Sequence, residues 1–258
     1  METPERAAQR VFGERSTFYS VSAVHKDPEV LKRVIELAAP WPDAIALDVA
    51  TGSGHTAAAL APHLAHVVCV DITHQMLAQA KKIAFDLDIR NMNQCLANVH
   101  ALPFHDDAFD IVTCRRAPHH FSDIMEALRE MRRVLRSVGR LVIDDRSVPE
   151  DDFVDSCMNE LDRLHDESHV REYRPSEWRR LLEECGFKIE VIEQYSKRLP
   201  LASLTTDVSS SNTLKIRDIV NGFNNHQRQV MNVTEIGGVT HLNHWYVTLL
   251  AHPTAAQI

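Results

Sequence analysis

Short apolar runs alternate with amphipathic segments along the chain from about residue 44. The runs 44–50, 66–72 and 110–117 are rich in β-branched residues and have the length of buried strands. Between the last two, apolar positions from Met76 to Leu87 recur at helical spacing. An alternation of strands and helices is typical of a mainly parallel sheet with helices on both faces. We therefore expect an α/β fold.

The alternation continues through the second half of the chain. A helix over 122–136 is predicted to end before Gly139, and another is predicted to begin at Pro175 and to end at Gly186. Further strands are predicted at the apolar runs 140–145, 187–195 and 244–252.

Two polar stretches, 146–172 and 197–243, interrupt this rhythm. We interpret both as insertions of one domain, 1–258, that cross the edge of the sheet where open α/β folds bind ligands. Surface loops without a functional role are the alternative interpretation.

Composition and charge exclude several classes of protein. With 28 Lys and Arg against 36 Asp and Glu, the formal net charge is −8, which disfavours binding to nucleic acid or to an anionic membrane surface. The chain shows neither a signal peptide nor an 18-residue apolar run, so no stable membrane insertion is expected. Five widely spaced cysteines indicate a reduced, cytoplasmic protein without a structural zinc site. The state of assembly stays open, a homo-oligomer included.

A glycine turn after the first strand is the strongest local signal. Gly52 and Gly54 allow a tight turn into a helix, whose first N–H groups can bind a negative or polar group. Asp71 ends the second strand and can accept hydrogen bonds from ribose hydroxyls. The same spacing fits a dinucleotide fingerprint, so an NAD(P)-dependent oxidoreductase stays open. Asp48 inside the strand, where a dinucleotide fold usually has an apolar residue, favours a different cofactor.

Four segments, in this order, resemble the class I S-adenosylmethionine-dependent methyltransferases, in the branch of the ubiquinone/menaquinone-biosynthesis enzymes. They are ALDVATGSGHTA (46–57), VVCVDITHQML (67–77), ALPFHDDAFDIVTCRRAPHHFSD (101–123) and EMRRVLRSVGRLVIDD (130–145). The likeness covers roughly residues 20 to 195. It implies a doubly wound, Rossmann-like sheet of seven strands, mostly parallel with the last strand antiparallel. It also implies methyl transfer from S-adenosyl-L-methionine to a small molecule, with S-adenosyl-L-homocysteine as the product.

The resemblance assigns cofactor contacts by position. Asp48 and the backbone around Ala50, Gly52 and Gly54 would hold the methionine part, and Asp71 would hold the ribose. Further cofactor contacts are implied at Ile72, Met76, Asn98, Val99, Arg115 and Tyr19.

Asn98 departs from the family pattern, which usually has an acidic residue in a Gly-Asp-Ala run here. Its amide oxygen can still accept a hydrogen bond from the adenine amino group. The loss of the acid keeps a second alternative open: a non-catalytic protein that binds S-adenosylmethionine on a methyltransferase frame.

Histidines are the candidates for substrate orientation or for removal of a proton from the acceptor, because imidazole titrates near neutral pH. His119 and His120 follow the fourth strand, where the family usually has an Arg-Asn pair, so a quinone acceptor is not implied. The resemblance places His25 in an N-terminal lid, 1–40. It places His169 and Arg171 at the substrate edge. No metal site is predicted.

Overall fold

The computed structural model describes residues 3–21 and 26–254. Within them the helices are α1 (Pro4–Val21), α2 (Pro28–Ala38), α3 (His55–Leu60), α4 (His74–Asp86), α5 (Ile124–Val134), α6 (Asp152–His165), α7 (Pro175–Glu184), α8 (Ser210–Asn221) and α9 (Asn225–Val230). The strands are β1 (Ile45–Val49), β2 (His66–Asp71), β3 (Met92–Leu96), β4 (Phe109–Arg115), β5 (Leu135–Ser147), β6 (Phe187–Pro200), β7 (Thr234–Ile236) and β8 (Val239–Pro253).

All these strands belong to one sheet, in the order β3-β2-β1-β4-β5-β8-β6, with β7 paired to β8. Strands β1 to β5 are parallel. Strand β8 runs antiparallel between β5 and β6. This arrangement confirms the predicted α/β sheet with an antiparallel last strand, to which the short β7 adds a hairpin.

Helices cover both faces of the sheet, and each face has its own apolar core. One core includes Leu128 of α5 and Trp178 of α7 against Val112 of β4. The other includes Val34 of α2 and Leu77 of α4. Burial of one large apolar side chain of this kind stabilises the fold by about 1.5–3 kcal/mol. The two cores fix the ends of the strands, and therefore the residues that follow them.

A third apolar cluster lies in the two stretches predicted as insertions. Met158 of α6 packs with Ile216 of α8, Met231 and Leu242. The polar stretch 197–243 is therefore largely ordered into the end of β6, helices α8 and α9 and the β7–β8 hairpin.

Gly139 has a different role from the predicted one. Helix α5 ends at Val134, five residues earlier, and Gly139 lies inside β5. A Cβ atom at this position would lie 2.5 Å from Cδ1 of Leu135, so the glycine leaves room for the Leu135 side chain. The prediction that it ends the helix was wrong because the strand begins directly after the helix.

Helix α1 lies across the end of the sheet that carries the glycine turn. It packs against α4, and Gln9 Nε2 donates to the carbonyl oxygen of Ile72 at 3.0 Å. Arg10 forms an ion pair with Glu167 at 2.7 Å. No helix of the described residues has the length and apolar character needed to cross a bilayer.

Candidate functional site

The glycine turn between β1 and α3 is a left-handed stretch of backbone. Ala50, Gly52 and Gly54 have φ of 50°, 55° and 83°. A Cβ on Gly54 would lie 2.8 Å from Cβ of Ala80, whereas nothing lies within 4 Å of one on Gly52. Gly54 therefore allows close packing of the turn on α4, and Gly52 leaves open space in front of it.

Asp71, at the end of β2, holds this turn in place. Its Oδ2 accepts from the backbone N–H of Gly52 at 2.9 Å, and its Oδ1 accepts from the N–H of Thr73 at 2.8 Å. Burial raises the pKa of Asp71. Each carboxylate oxygen can accept more than one hydrogen bond, so the side chain keeps capacity for a ligand.

Asp48 is buried under the turn. Its two carboxylate oxygens accept from the hydroxyls of Thr51 and Thr113, at 2.5 and 2.6 Å. Burial raises the pKa of Asp48. The two threonines fix its orientation at the base of the cleft.

A cavity opens in front of the turn, which we call the turn cavity; it encloses about 980 Å³, its open mouth included. Its wall brings together most of the predicted cofactor residues: Asp48, Ala50, Gly52, Asp71, Ile72, Met76, Asn98, Val99 and Arg115. Glu5, Ala8 and Phe12 of α1 line it from the other side. Gly54 packs behind the turn.

Asn98 is oriented differently from the expectation. Its Oδ1 accepts from the backbone N–H of His100 at 3.0 Å and lies 2.8 Å from Nδ1 of the same residue. Nε2 of His100 accepts from the N–H of Asp123 at 3.3 Å, so Nδ1 carries the proton. The Asn98 oxygen thus accepts two hydrogen bonds from His100, so it has no acceptor site left for an adenine amino group.

Two arginines lie at the end of β4: Arg115 is its last residue, and Arg116 follows it. Arg115 donates from Nε to the Thr56 hydroxyl at 2.8 Å. Arg116, with φ of 55°, forms an ion pair with Asp144 at 3.0 Å and lies over the Tyr246 ring, 3.7 Å from its centroid. Sequence reasoning missed Arg116, although it lies near the end of the predicted strand 110–117.

A second, polar cavity of about 630 Å³ adjoins the first, and we call it the histidine cavity. Its lining includes four imidazoles, those of His119, His120, His165 and His169. Phe12, Arg116 and His120 line both cavities. The structure therefore brings together three of the four histidines singled out in the sequence.

His119 is paired with a buried carboxylate. Its Nδ1 lies 2.6 Å from Oδ1 of Asp145, whose Oδ2 accepts from the His119 backbone N–H at 2.8 Å. Burial lowers the pKa of His119 well below its ordinary value and raises the pKa of Asp145 to about 7. A neutral His119 therefore donates from Nδ1 to Asp145, which leaves Nε2 as a hydrogen-bond acceptor.

The other two predicted histidines are fixed by the segment 166–172 and by α6. Nδ1 of His120 lies 3.1 Å from both the carbonyl and the hydroxyl oxygen of Ser168. Nε2 of His169 lies 3.1 Å from Oδ1 of Asn159. Burial lowers the pKa of His169 to about 3. The imidazole rings of His119 and His169 are 5.9 Å apart, centroid to centroid.

Arg171 is placed away from the cavities. Its guanidinium donates to both carboxylate oxygens of Asp155 and to Glu177, a bridge between α6 and α7. Arg171 lines neither cavity, so its predicted place at the substrate edge is corrected to a structural one. His25 and the Tyr19 side chain lie outside the described residues.

Arg146 of β5 is a further group that the sequence did not point to. It lies in the wall of the histidine cavity and pairs with Asp162 and Glu172. Its NH2 group also lies 3.1 Å from Nδ1 of His244. Among the side chains that the structure describes, no group of three or more His, Cys, Asp or Glu is arranged to bind a metal ion.

Residues 47–143 match the family model of a methyltransferase domain. An uncharacterized methyltransferase, YcgJ, of Bacillus subtilis is 36% identical over 185 residues, which are 72% of this chain and 73% of the relative. The crystal structure of YcgJ superimposes with a TM-score of 0.83 at 30% identity and covers 88% of this chain and 98% of that one. A demethylmenaquinone methyltransferase of Thermotoga maritima is 39% identical over 120 residues, 45% of this chain and 50% of the relative.

Proposed function

The chain belongs to the class I S-adenosylmethionine-dependent methyltransferases, and from this premise we propose that it transfers a methyl group to a small molecule bound in the histidine cavity. One observation carries the proposal: Phe12, Arg116 and His120 line both cavities. A cofactor in the turn cavity and an acceptor in the histidine cavity would meet at this shared wall.

The turn cavity suits the cofactor of the class. Asp71 has acceptor capacity left for ribose hydroxyls, and the space in front of Gly52 is open to a ligand. When bound, S-adenosylmethionine supplies a methyl group on a positively charged sulfur. We assign the ribose to Asp71.

We assign the rest of the cofactor by position. The methionine part would lie at Ala50 and Gly52, above Asp48, with Arg115 beside it. The adenine would lie between Ile72, Met76 and Val99, on apolar surface.

On the acceptor side, the protein has to align the nucleophile, exclude water and accept a proton. His119 fits the last task because Asp145 holds its Nδ1 and leaves Nε2 as the basic nitrogen. His120, whose ring centroid lies 3.9 Å from that of His119, lines both cavities and would orient the acceptor. Alignment alone can lower such a barrier by several kcal/mol.

Two variants test the assignment in the purified protein. In Asp71→Ala, binding of S-adenosylhomocysteine should weaken at least tenfold in calorimetry, since about 1.4 kcal/mol or more of hydrogen bonding is lost. In His119→Ala, turnover with a labelled methyl donor should fall while cofactor affinity stays unchanged. If His119→Ala lost turnover and affinity for the cofactor to the same extent, His119 would have a role in folding instead.

The alternatives give different results in the same experiments. An NAD(P)-dependent oxidoreductase would bind NADH in a fluorescence titration and would not bind S-adenosylhomocysteine. A non-catalytic binding protein would bind S-adenosylhomocysteine and methylate no acceptor in a broad screen.

A further inference from the structure

Each of the four imidazoles of the histidine cavity has one ring nitrogen within hydrogen-bond distance of an acceptor oxygen of the protein. The pairs are His119 Nδ1 with Asp145 Oδ1, His120 Nδ1 with the Ser168 carbonyl, His165 Nδ1 with the Leu204 carbonyl at 3.2 Å, and His169 Nε2 with Asn159 Oδ1. Carbonyl oxygens and an ionised carboxylate only accept, so above the pKa of Asp145 the ring nitrogens in these pairs carry the protons.

The orientation of Asn159 is fixed independently. Its Oδ1 also accepts from the backbone N–H of Glu172 at 2.7 Å, and its Nδ2 donates to the carbonyl of Asp155 at 3.0 Å. The amide oxygen must therefore face His169, and Nε2 of that ring must be the donor.

The opposite nitrogen of each ring is consequently an acceptor when the ring is neutral. These are Nε2 of His119, His120 and His165, and Nδ1 of His169. None of the four nitrogens has a hydrogen-bond partner among the described residues, and all four rings line the cavity. His119 and His169 are themselves 93% buried, each with 7% exposure. A ligand that fills this space has to supply donors, because buried acceptors without partners are costly.

The charges around the cavity favour a cation. Arg116 is paired with Asp144, and Arg146 is paired with two carboxylates, so neither guanidinium is left to attract an anion. Asp166 also lines the cavity, and its Oδ1 accepts from the N–H and the hydroxyl of Ser168 at 2.9 and 2.7 Å. Among the described residues it forms no ion pair with Lys or Arg. The uncompensated charge of the wall is thus negative.

Eight of the ten residues that line the cavity are histidines, arginines or aspartates. Its aromatic side chains are Phe12 and Tyr246, and the Arg116 guanidinium covers the face of Tyr246. A space of about 630 Å³ with such a lining favours a compact acceptor that carries polar groups.

Resting on the proposed function, we propose that the methyl acceptor is a small primary or secondary amine. Its N–H groups would donate to the imidazole nitrogens, and Asp166 would balance its charge when it binds as an ammonium ion. The formal net charge of −8 also favours the approach of a cation.

The chemistry balances with groups at hand. The ammonium ion gives one proton to Nε2 of His119, which frees the nitrogen lone pair. That nitrogen then forms a bond to the methyl carbon as the carbon–sulfur bond breaks, and the electron pair of that bond stays on sulfur. The products are an N-methylammonium ion and S-adenosylhomocysteine, and the imidazolium proton returns to water.

The test uses matched triads of acceptors: propylamine, 1-propanol and propanoate, and benzylamine, benzyl alcohol and benzoate. Each is added at millimolar concentration to the full chain saturated with S-adenosylhomocysteine for calorimetry, or with labelled S-adenosylmethionine for methyl transfer, at mildly alkaline pH. We expect binding and methylation of the amines, at least tenfold in excess of the alcohols and acids. Preference for an alcohol or an acid, or no binding of either amine, overturns the amine proposal.

A variant pair adds a second readout. Asp166→Asn should weaken amine binding roughly tenfold or more and leave binding of S-adenosylhomocysteine unchanged, since a charge-assisted hydrogen bond is lost. Glu167→Gln, at the exposed neighbouring carboxylate, is the control and should bind amines like the wild type. Equal amine affinities in the two variants would show that Asp166 does not balance the charge of the amine. If Asp166→Asn does not fold, the comparison of amines, alcohols and acids with the wild type tests the amine proposal. Failure of S-adenosylhomocysteine to bind the wild type would instead overturn the proposed function itself.

Discussion

The two glycines of the turn differ in what a side chain would meet there. Gly54 has Cβ of Ala80 and Cε of Met92 within 2.8 Å of where its own Cβ would lie, and Gly52 has open cavity. Both also have positive φ, which costs any L-residue with a side chain. Gly54 therefore allows close packing of the turn on α4, and Gly52 leaves room for a ligand.

This difference gives a prediction with an internal control. Gly54→Ala should lower the free energy of unfolding by about 1–3 kcal/mol, because strain and overpacking act together. Gly52→Ala should lower it by about 1 kcal/mol and should weaken S-adenosylhomocysteine binding, since the new methyl group enters the turn cavity. Urea denaturation and calorimetry measure the two effects. A stable Gly54→Ala protein with weakened binding would reverse the assignment.

At the same scale, Asp145 is a positioning residue for His119. Asp145→Asn removes the carboxylate that fixes the Nδ1–H form, so turnover should fall roughly tenfold or more, with unchanged affinity for S-adenosylhomocysteine. Steady-state kinetics and calorimetry separate these quantities. Asp106→Asn, at an exposed carboxylate, should leave both unchanged. A parallel loss of cofactor binding in Asp145→Asn would mean that the pair stabilises the fold only.

At the scale of elements, α6 positions the segment 166–172 through Asn159. This one amide is hydrogen-bonded to His169, to Asp155 and to both backbone groups of Glu172. The same segment donates from Val170 and Arg171 to the carbonyl of His119. His119, which follows β4, and His169, which follows α6, are thus held in fixed positions relative to one another.

Replacement of this amide tests the connection. Asn159→Leu should lower the free energy of unfolding by about 2–4 kcal/mol, because buried partners lose their hydrogen bonds. Asn225→Leu, at the exposed first position of α9, should change it by less than about 0.5 kcal/mol. Chemical denaturation gives both values. Similar stability of the two variants would show that the segment does not depend on Asn159.

Sequence patterning found the central strands and the edge strand β6, and it missed the edge strand β3 and the helices α8 and α9 for a physical reason. Strands β1, β2, β4 and β5 are buried on both faces and appear as apolar runs. Strand β3 lies at the sheet edge, with a buried residue only at Met92, so its sequence has no strand period. The stretch 197–243 also looked irregular, because much of the surface of α8 and α9 is exposed.

The candidate site shows the same division. Residues fixed by the strand ends, such as Asp71 and His119, were predictable because motif spacing places them at one edge. The pairing of His119 with Asp145 and the orientation of Asn98 were not predictable. Both depend on contacts between segments that are distant in the sequence. Arg171 matched a family segment, but its guanidinium faces α7 instead of the cavity.

For the whole molecule, buried imidazoles predict loss of stability in acid. Burial lowers the pKa of His169 and of His244 to about 3, below an unfolded value of about 6.5. Their contribution is therefore fully present above pH of about 6.5 and is lost as the pH falls toward about 3. Asp145, whose pKa burial raises to about 7, acts in the opposite sense, since its contribution is present below about pH 4 and lost as the pH rises through about 7. The lowered pKa of His119 acts like those of the other two histidines, whereas the raised pKa values of Asp48 and Asp71 act like that of Asp145. The contribution of a histidine is therefore measured as the difference between the wild type and a variant that lacks it.

We expect each buried imidazole to lower the free energy of unfolding by about 1–2 kcal/mol between about pH 7 and pH 5, against the opposite contribution of the buried carboxyl groups. Urea denaturation across this range measures the slope. His244→Gln should reduce the slope, and His226→Gln, at an exposed position, should leave it unchanged. The same slope in His244→Gln as in the wild type would contradict this interpretation.

Helix α1 touches both cavities, because Phe12 belongs to the wall of each. The ligand that binds first can therefore fix the position of Phe12, which the second ligand also contacts. Thermodynamic reciprocity then requires that donor and acceptor strengthen one another's affinity by the same factor, if they strengthen it at all. In such a protein an acceptor screened without the nucleoside present would bind more weakly than it does in the ternary complex, and the equilibrium reached is the same for either order of addition.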